Sequence, residues 1–213
     1  MQTKTTKAAT ESQRIASEKI EWLLGKLADR RRADLLSDDS RIFPGWYTPV
    51  IVMERGVKVV KPMRYQCRLA GKPAAYDRKF PGTYNARRDN LEGFWKGLFG
   101  FTHGLMPVRR FYENVSRDGQ NIVLEFEPHD GAPMLVACLW SHWKGPKGEL
   151  LSVAAITDEP PPEVAAAGHD RCIIPIKPEH IDAWLDPDPN DLAASYAILD
   201  DRQRPHYEHR LAA

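Results

Sequence analysis

The sequence lacks the features that mark several specialised classes of protein. No stretch approaches the ~18 apolar residues of a membrane-spanning helix, and the first residues, MQTKTTKAATESQR, contain no apolar signal-peptide core. Only three cysteines occur in 213 residues, widely spaced and without a CxxC pair, which argues against a zinc ribbon or a disulfide framework. These absences predict a cytoplasmic protein with reduced thiols and with no membrane partner, metal or other cofactor.

A surplus of charge of one sign is lacking as well. Thirty basic residues face 29 acidic ones, which leaves a net charge of +1. Proteins that bind nucleic acid are usually clearly basic, so DNA is a compatible partner only if positive charge is collected in one groove. Hydrophobic residues make up 42% of the chain, and a globule of this length buries roughly 70% of its unfolded surface, enough for a core without crosslinks.

The hydrophobic periodicity changes along the chain from helical to strand-like. Ile20, Leu23, Leu24 and Leu27 form one apolar stripe of a helix that ends in an arginine run. From about residue 40 the pattern turns to short β-strands, and no linker or repeat marks a second domain. We therefore predict an N-terminal helical segment, residues 1–42, packed on or appended to a β-rich domain, residues 43–213.

The β-rich part predicts an α+β fold with a mostly antiparallel, barrel-like core and peripheral helices. Two hairpins are expected, one across Glu54-Arg55-Gly56 and one across Asp130-Gly131. A doubly wound parallel sheet is disfavoured because the middle of the chain lacks alternating helices. The flanking strands are Pro49–Met53, Val57–Val60, Val123–Phe126 and Met134–Trp140; further strands are Leu151–Ile156 and Cys172–Ile176, and helices follow at Glu179–Leu185 and Asn190–Leu199.

Three segments are richer in polar groups than their β context requires. In the first, Asn85 and Arg87 stand two residues apart, which puts an amide and a guanidinium on one face of a strand. In the second, Glu113 follows an apolar pair; pointing inward, it would have a raised pKa and could exchange protons near neutral pH. The third contains His169, whose imidazole suits proton transfer. Each segment alone is also compatible with a surface or structural role.

Taken in order, these segments resemble the SOS response-associated peptidase (SRAP) family, over about residues 43–186. No single triplet is specific, but the ordered set is. Its members are Met63-Arg64-Tyr65, Asn85-Ala86-Arg87, Pro107 with Phe111-Tyr112-Glu113, Leu135–Trp140, Ala155-Ile156-Thr157, His169-Asp170-Arg171 and Ile181–Leu185.

The resemblance implies a barrel-like core with a groove for single-stranded DNA, peptidase activity, and a covalent reaction with abasic sites. In the family, the α-amine of an N-terminal cysteine forms an imine with the opened sugar aldehyde, and its thiol closes the imine to a thiazolidine. By this resemblance Asn85 positions the reactants, Glu113 is the general acid/base and His169 shuttles a proton or stabilises the opened sugar. The DNA contacts it implies are Arg64, Arg87, Thr157 and Arg171.

The chain departs from the family pattern at two places. Residue 2 is Gln2 where the family has cysteine, so either a Met-Cys start lies upstream of Met1 or this member has lost the covalent step. Asn114 stands where the family often has tryptophan, which leaves Trp46, Tyr84 or Trp95 as alternatives for stacking on a base.

Three functions follow as hypotheses. The first is an abasic-site-binding enzyme of the SRAP type, and the second is a non-catalytic single-stranded DNA-binding module that uses the same groove. The third, a general hydrolase that uses Glu113 and His169, is disfavoured because no GxSxG motif occurs.

Overall fold

The computed structural model of the chain describes residues 41–117, 119–146 and 148–212. These residues form ten β-strands, four α-helices and two 3₁₀ turns, at Arg88–Asn90 and Pro178–His180. The strands are β1 (Tyr47–Glu54), β2 (Val57–Tyr65), β3 (Asn85–Arg87), β4 (His103–Val108), β5 (Phe111–Arg117), β6 (Gln120–Pro128), β7 (Met134–Gly145), β8 (Gly148–Asp158), β9 (Cys172–Ile173) and β10 (Tyr207–Leu211). The helices are α1 (Tyr76–Lys79), α2 (Pro162–Ala166), α3 (Ile181–Leu185) and α4 (Leu192–Asp200).

Five strands close into a barrel. Antiparallel pairs join β2 to β1, β1 to β4, β4 to β7 and β7 to β8. A short parallel pairing of Tyr65 with Val153 then connects β2 to β8 and closes the ring. β3 continues along the same edge of β8, with Asn85 opposite Ala155. The predicted α+β fold with a mostly antiparallel, barrel-like core is confirmed.

The hairpin between β1 and β2 forms as predicted. Glu54 pairs with Val57, and Arg55 and Gly56 make a two-residue turn with φ angles of 51° and 75°. A positive φ at both central positions gives the turn a twist that matches the twist of the flanking strands, so they pair without splaying.

The second predicted hairpin, across Asp130-Gly131, is wrong. Gly131 does turn the chain, with a φ of 66°, and the Asp130 carboxylate accepts a hydrogen bond from the backbone N–H of Ala132. However, β6 and β7 do not pair. β6 lies between β5 and β10 in a separate three-stranded sheet, whereas β7 belongs to the barrel. Turn chemistry is local and does not select the partner of the strand that follows.

Two hydrophobic cores lie on opposite faces of the barrel sheet, because adjacent residues of a strand point in opposite directions. Cys138 belongs to the first core, which the barrel shares with Phe126 and the inner face of the three-stranded sheet. Leu139 belongs to the second, which includes Trp95 and Trp184. A side chain on the inner face of β5 therefore points towards the barrel.

The C-terminal helices agree with the sequence pattern. The region predicted as helix at Glu179–Leu185 contains a 3₁₀ turn followed by α3, and α4 begins after Asp191, whose carboxylate caps the N–H of Ala194 at 3.1 Å. The strand predicted at Cys172–Ile176 is shorter, because β9 ends at Ile173. The N-terminal helix predicted around residues 20–27 lies outside the described residues. Within the described part of the chain, no helix is long and apolar enough to cross a membrane.

Candidate active site

Glu113 lies on the inner face of β5. Its neighbours on that face, Phe111 and Val115, are buried in the first core, and alternation places the glutamate between them. The side chain keeps 20% of its surface exposed. Burial raises the pKa of the Glu113 carboxyl to about 6; the nearby His169 opposes this shift and Asp170 adds to it. The carboxyl can therefore both hold and release a proton near neutral pH.

His169 meets this carboxyl directly. The turn after α2 places it there: Gly168 adopts a φ of 101°, and the backbone N–H of His169 donates to the carbonyl of Val164. The distance between His169 Nε2 and Glu113 Oε2 is 3.2 Å. Residues far apart in sequence are thus brought into one acid–base pair.

The tautomer of His169 follows from its second nitrogen. Nδ1 lies 2.9 Å from the carbonyl oxygen of Arg171 and 3.3 Å from the backbone nitrogen of the same residue, and these two contacts require opposite roles for Nδ1. The shorter contact favours a proton on Nδ1 that is donated to the carbonyl. Nε2 then accepts a hydrogen bond from a protonated Glu113 carboxyl. When Nε2 is itself protonated, it donates the hydrogen bond to the carboxylate instead.

Asn85 forms a hydrogen bond with a tyrosine. Its Oδ1 accepts a hydrogen bond from the Tyr65 hydroxyl at 3.3 Å. The pKa of the phenol is raised, first by burial and then by the charge of Glu113, which places Tyr65 within electrostatic range of the carboxyl. The structure thus brings Glu113 and His169 into contact, and Asn85 into contact with Tyr65.

Two of the four expected DNA contacts lie at the surface beside this site. Arg87 is about half exposed and forms two hydrogen bonds with the Asp89 carboxylate, at 3.0 and 2.6 Å. Arg171 is a quarter exposed and lies 3.6 Å from Asp170. The pKa of Asp89 is lowered, mainly by the hydrogen bond from Arg87 and further by the charge of Arg171. The carboxylate of Asp89 is therefore stabilised mainly by Arg87, with a smaller contribution from Arg171.

Arg64, by contrast, is engaged inside the protein. Its Nη1 donates to Asp77 at 2.6 Å, while Nε and Nη2 donate to the carbonyl of Gln66. Arg68 binds the same carboxylate. Burial alone would raise the pKa of Asp77, but the hydrogen bonds from Arg68 and Arg64 lower it, so the carboxylate stays ionised. The guanidinium of Arg64 fixes the end of β2 through these hydrogen bonds.

A family model described as SOS response associated peptidase (SRAP) matches residues 4–210. The chain belongs to this family. The resemblance drawn from the ordered motifs is thereby confirmed, and the match extends it in both directions along the sequence.

Solved structures show the same fold at low sequence identity. A protein from Bordetella bronchiseptica is 17% identical, with 87% of this chain and 95% of that chain covered and a TM-score of 0.66. One from Bacteroides thetaiotaomicron is 14% identical, with 79% and 75% covered and a TM-score of 0.64. A phage-related protein from B. bronchiseptica is 19% identical, with 80% of each chain covered and a TM-score of 0.60. No curated protein matches this chain.

The cysteines of this SRAP protein are unsuited to act as nucleophiles. Cys67 and Cys138 have no exposed surface and Cys172 has 3%. Burial is the largest cause that raises all three thiol pKa values, to about 12 for Cys67 and Cys172. Because the thiolate is the reactive form, none of them is poised for attack. Among residues 41–212, apart from 118 and 147, no His, Cys, Asp or Glu side chains group as a metal site would require.

The aromatic side chains proposed for stacking differ in accessibility. Trp95 is 3% exposed and belongs to the second core, so the expectation that it stacks on a base is wrong. Trp46 is 40% exposed, and Tyr84 is half-buried with its ring edge-on to Tyr65. Sequence reasoning missed Tyr65 as a site residue. The available signal was its position in Met63-Arg64-Tyr65, one of the ordered motifs.

Thr157, the fourth expected DNA contact, is inside the protein. It lies on β8 between Arg87 and Ile173, is 1% exposed, and its hydroxyl has no hydrogen-bond partner among the described residues. A buried hydroxyl without a partner is destabilising, because it has lost its hydration without compensation. We expect Thr157→Val to raise the free energy of unfolding by about 1 kcal/mol, measured by urea denaturation.

Ser152 provides the control on the same strand. It is also fully buried, but its hydroxyl accepts a hydrogen bond from the backbone N–H of Arg68 at 2.9 Å. Ser152→Ala should therefore lower stability, by about 1 kcal/mol. A loss of stability in Thr157→Val would show that the threonine hydroxyl has a partner after all.

A separate cavity of about 910 Å³ opens between the proline-rich loop at residues 160–162 and the segment that leads into β10. Arg88, Tyr196 and Arg202 line it, together with Cys172 and Tyr207. None of the proposed catalytic side chains does. The cavity and the contact between Glu113 and His169 are therefore in different places. The acid–base chemistry of that contact identifies the candidate active site.

Proposed function

We propose that this SRAP protein binds single-stranded DNA at abasic sites and acts in the response to DNA damage. The observation that carries the proposal is the contact between Glu113 and His169, at 3.2 Å, together with a Glu113 pKa of about 6. Opening an abasic sugar to its aldehyde removes a proton from the C1 hydroxyl and adds one to the ring oxygen. A carboxyl with a pKa of about 6 in contact with an imidazole suits both transfers.

The remaining side chains have supporting roles in this proposal. Asn85 positions the sugar, and Arg87 and Arg171 hold the phosphates that flank it. Arg64 supports the site from within the fold, because its hydrogen bonds to Asp77 and to the carbonyl of Gln66 fix the end of β2; the buried Thr157 is given no role in this proposal. Covalent thiazolidine formation and peptidase activity require a cysteine at the N-terminus, so they belong to the proposal only for a chain that carries one.

A second function, a single-stranded DNA-binding module without covalent chemistry, is favoured by one observation. The three cysteines of the chain are buried, with raised thiol pKa values. This alternative keeps the groove, the arginines and the preference for single strands. It differs in forming no bond with the sugar.

Binding of oligonucleotides tests the function. We expect tighter binding to a single strand with a central tetrahydrofuran, a stable abasic analogue, than to an intact strand or a duplex, measured by fluorescence anisotropy. Arg87→Ala should weaken binding to all single strands. It should also reduce the slope of log K against log salt by about 0.7, because one phosphate contact is lost.

Two variants control this experiment. Asp89→Asn removes the carboxylate that Arg87 binds, so it should strengthen binding and thus have the opposite effect. Arg55→Ala removes the same charge from the β1–β2 turn, at the far end of β2 from Tyr65, and should change little. Binding that is independent of salt, or no preference for the abasic strand, would point to a different ligand.

A further inference from the structure

Tyr65 and Asn85 are held side by side by the way two strands share one edge of β8. β2 pairs with β8 up to Tyr65, opposite Val153, and β3 begins at Asn85, opposite Ala155. Residues two apart on β8 lie on the same face, so their partners do as well. The register of the barrel, and not a flexible loop, brings the phenol to the carboxamide.

The hydrogen bond between them fixes which end of the amide is available. The phenol is a donor at physiological pH, and it lies 3.3 Å from Asn85 Oδ1. In the structure its partner atom is the carbonyl oxygen of the amide, which accepts the hydrogen bond. The NH₂ group of Asn85 is then left to face a ligand. Without the phenol, rotation of the amide by 180° would present the oxygen instead.

We infer that Tyr65 is a positioning residue, which orients the Asn85 carboxamide so that its NH₂ group binds an oxygen of the abasic deoxyribose. This inference rests on the proposed function. The oxygen has to be an acceptor, such as the aldehyde carbonyl of the opened sugar or the ring oxygen of its closed form. In a normal nucleotide the base is attached at C1 of the sugar and occupies the space beside these oxygens. The oriented amide therefore contributes to the preference for sites that have lost the base.

Tyr65→Phe removes the hydroxyl and keeps the ring. We expect it to weaken binding of the tetrahydrofuran strand by roughly 3- to 10-fold, the effect of one neutral hydrogen bond, with little change for the intact strand. In Asn85→Ala the same tyrosine substitution should have no further effect, because the phenol acts only through the amide. Tyr196→Phe is the matched control: it removes a hydroxyl from α4, beside the cavity that none of the proposed catalytic side chains lines, and should leave binding unchanged.

A spectroscopic measurement on the unaltered protein gives an independent test. The side-chain NH₂ resonances of Asn85 should shift when the tetrahydrofuran strand is added, and not with an equal concentration of the intact strand. If these resonances do not respond, or if Tyr65→Phe and Asn85→Ala weaken binding additively, the positioning role is refuted. A preference for abasic strands that is undiminished in Tyr65→Phe also refutes it while leaving the proposed function intact. No such preference in the unaltered protein would instead contradict the function itself.

Discussion

The chain that begins at Met1 should bind an abasic single strand without forming an adduct that survives denaturation. A thiazolidine needs an α-amine and a thiol on the same residue: the amine condenses with the aldehyde and releases water, and the thiol then adds to the imine carbon. Cys67, Cys138 and Cys172 are internal, so their nitrogen atoms are in peptide bonds. Their thiols are also buried, with raised pKa values. No reaction of these residues yields the ring.

The measurement is a denaturing gel of the protein incubated with an abasic single strand, with and without borohydride. An imine from a lysine or from the Met1 amine would be trapped only with reductant, because imines otherwise hydrolyse. A short peptide with an N-terminal cysteine serves as the positive control for thiazolidine formation. A heat-stable adduct of the protein without reductant would show that another group is the nucleophile.

Much of the fold could be predicted from local patterns. Alternating apolar residues and the Arg55-Gly56 turn define β1 and β2, because a two-residue turn dictates the register of its own hairpin. The partners of β6 could not be predicted in this way. One of them, β10, buries only Tyr207 and exposes the other four residues, so it carries no apolar alternation that would predict a strand. Pairing between strands distant in sequence is a tertiary property.

The candidate site, like the fold, could be predicted only where it depends on local sequence. The inward direction of Glu113 follows from its apolar neighbours on β5, and its raised pKa follows from that burial. The sequence could not show that Arg64 is committed to Asp77, or that Thr157 is buried beside Arg87. Both depend on contacts between separate elements. Motif order identified the family, but accessibility of each motif residue required the structure.

His103 was not singled out by any motif, and the structure makes it a strong determinant of stability. It is 2% exposed and lies stacked between Phe99 and Trp184. Nε2 accepts a hydrogen bond from the backbone N–H of Gly100 at 2.9 Å, and Nδ1 lies 3.1 Å from the carbonyl of Trp184. An imidazole that accepts at one nitrogen and donates at the other is neutral. Burial accordingly lowers its pKa to about 4, although the Trp184 carbonyl opposes the shift.

We expect His103 to make the protein less stable as the pH falls from 6.5 to about 4. In this window the unfolded chain binds a proton at His103 that the folded chain does not, so its contribution is complete above pH 6.5 and is lost on acidification. The pKa difference corresponds to about 3 kcal/mol of unfolding free energy.

His103→Gln should be less stable at pH 7, because it loses the stacking. However, its unfolding free energy should fall less steeply between pH 6.5 and 4, by up to about 1.4 kcal/mol per pH unit. Urea denaturation across this range measures the slope, with exposed His206→Gln as the control for the loss of one imidazole. Identical slopes for His103→Gln and the unaltered protein would mean that His103 titrates in the folded state as it does in the unfolded chain.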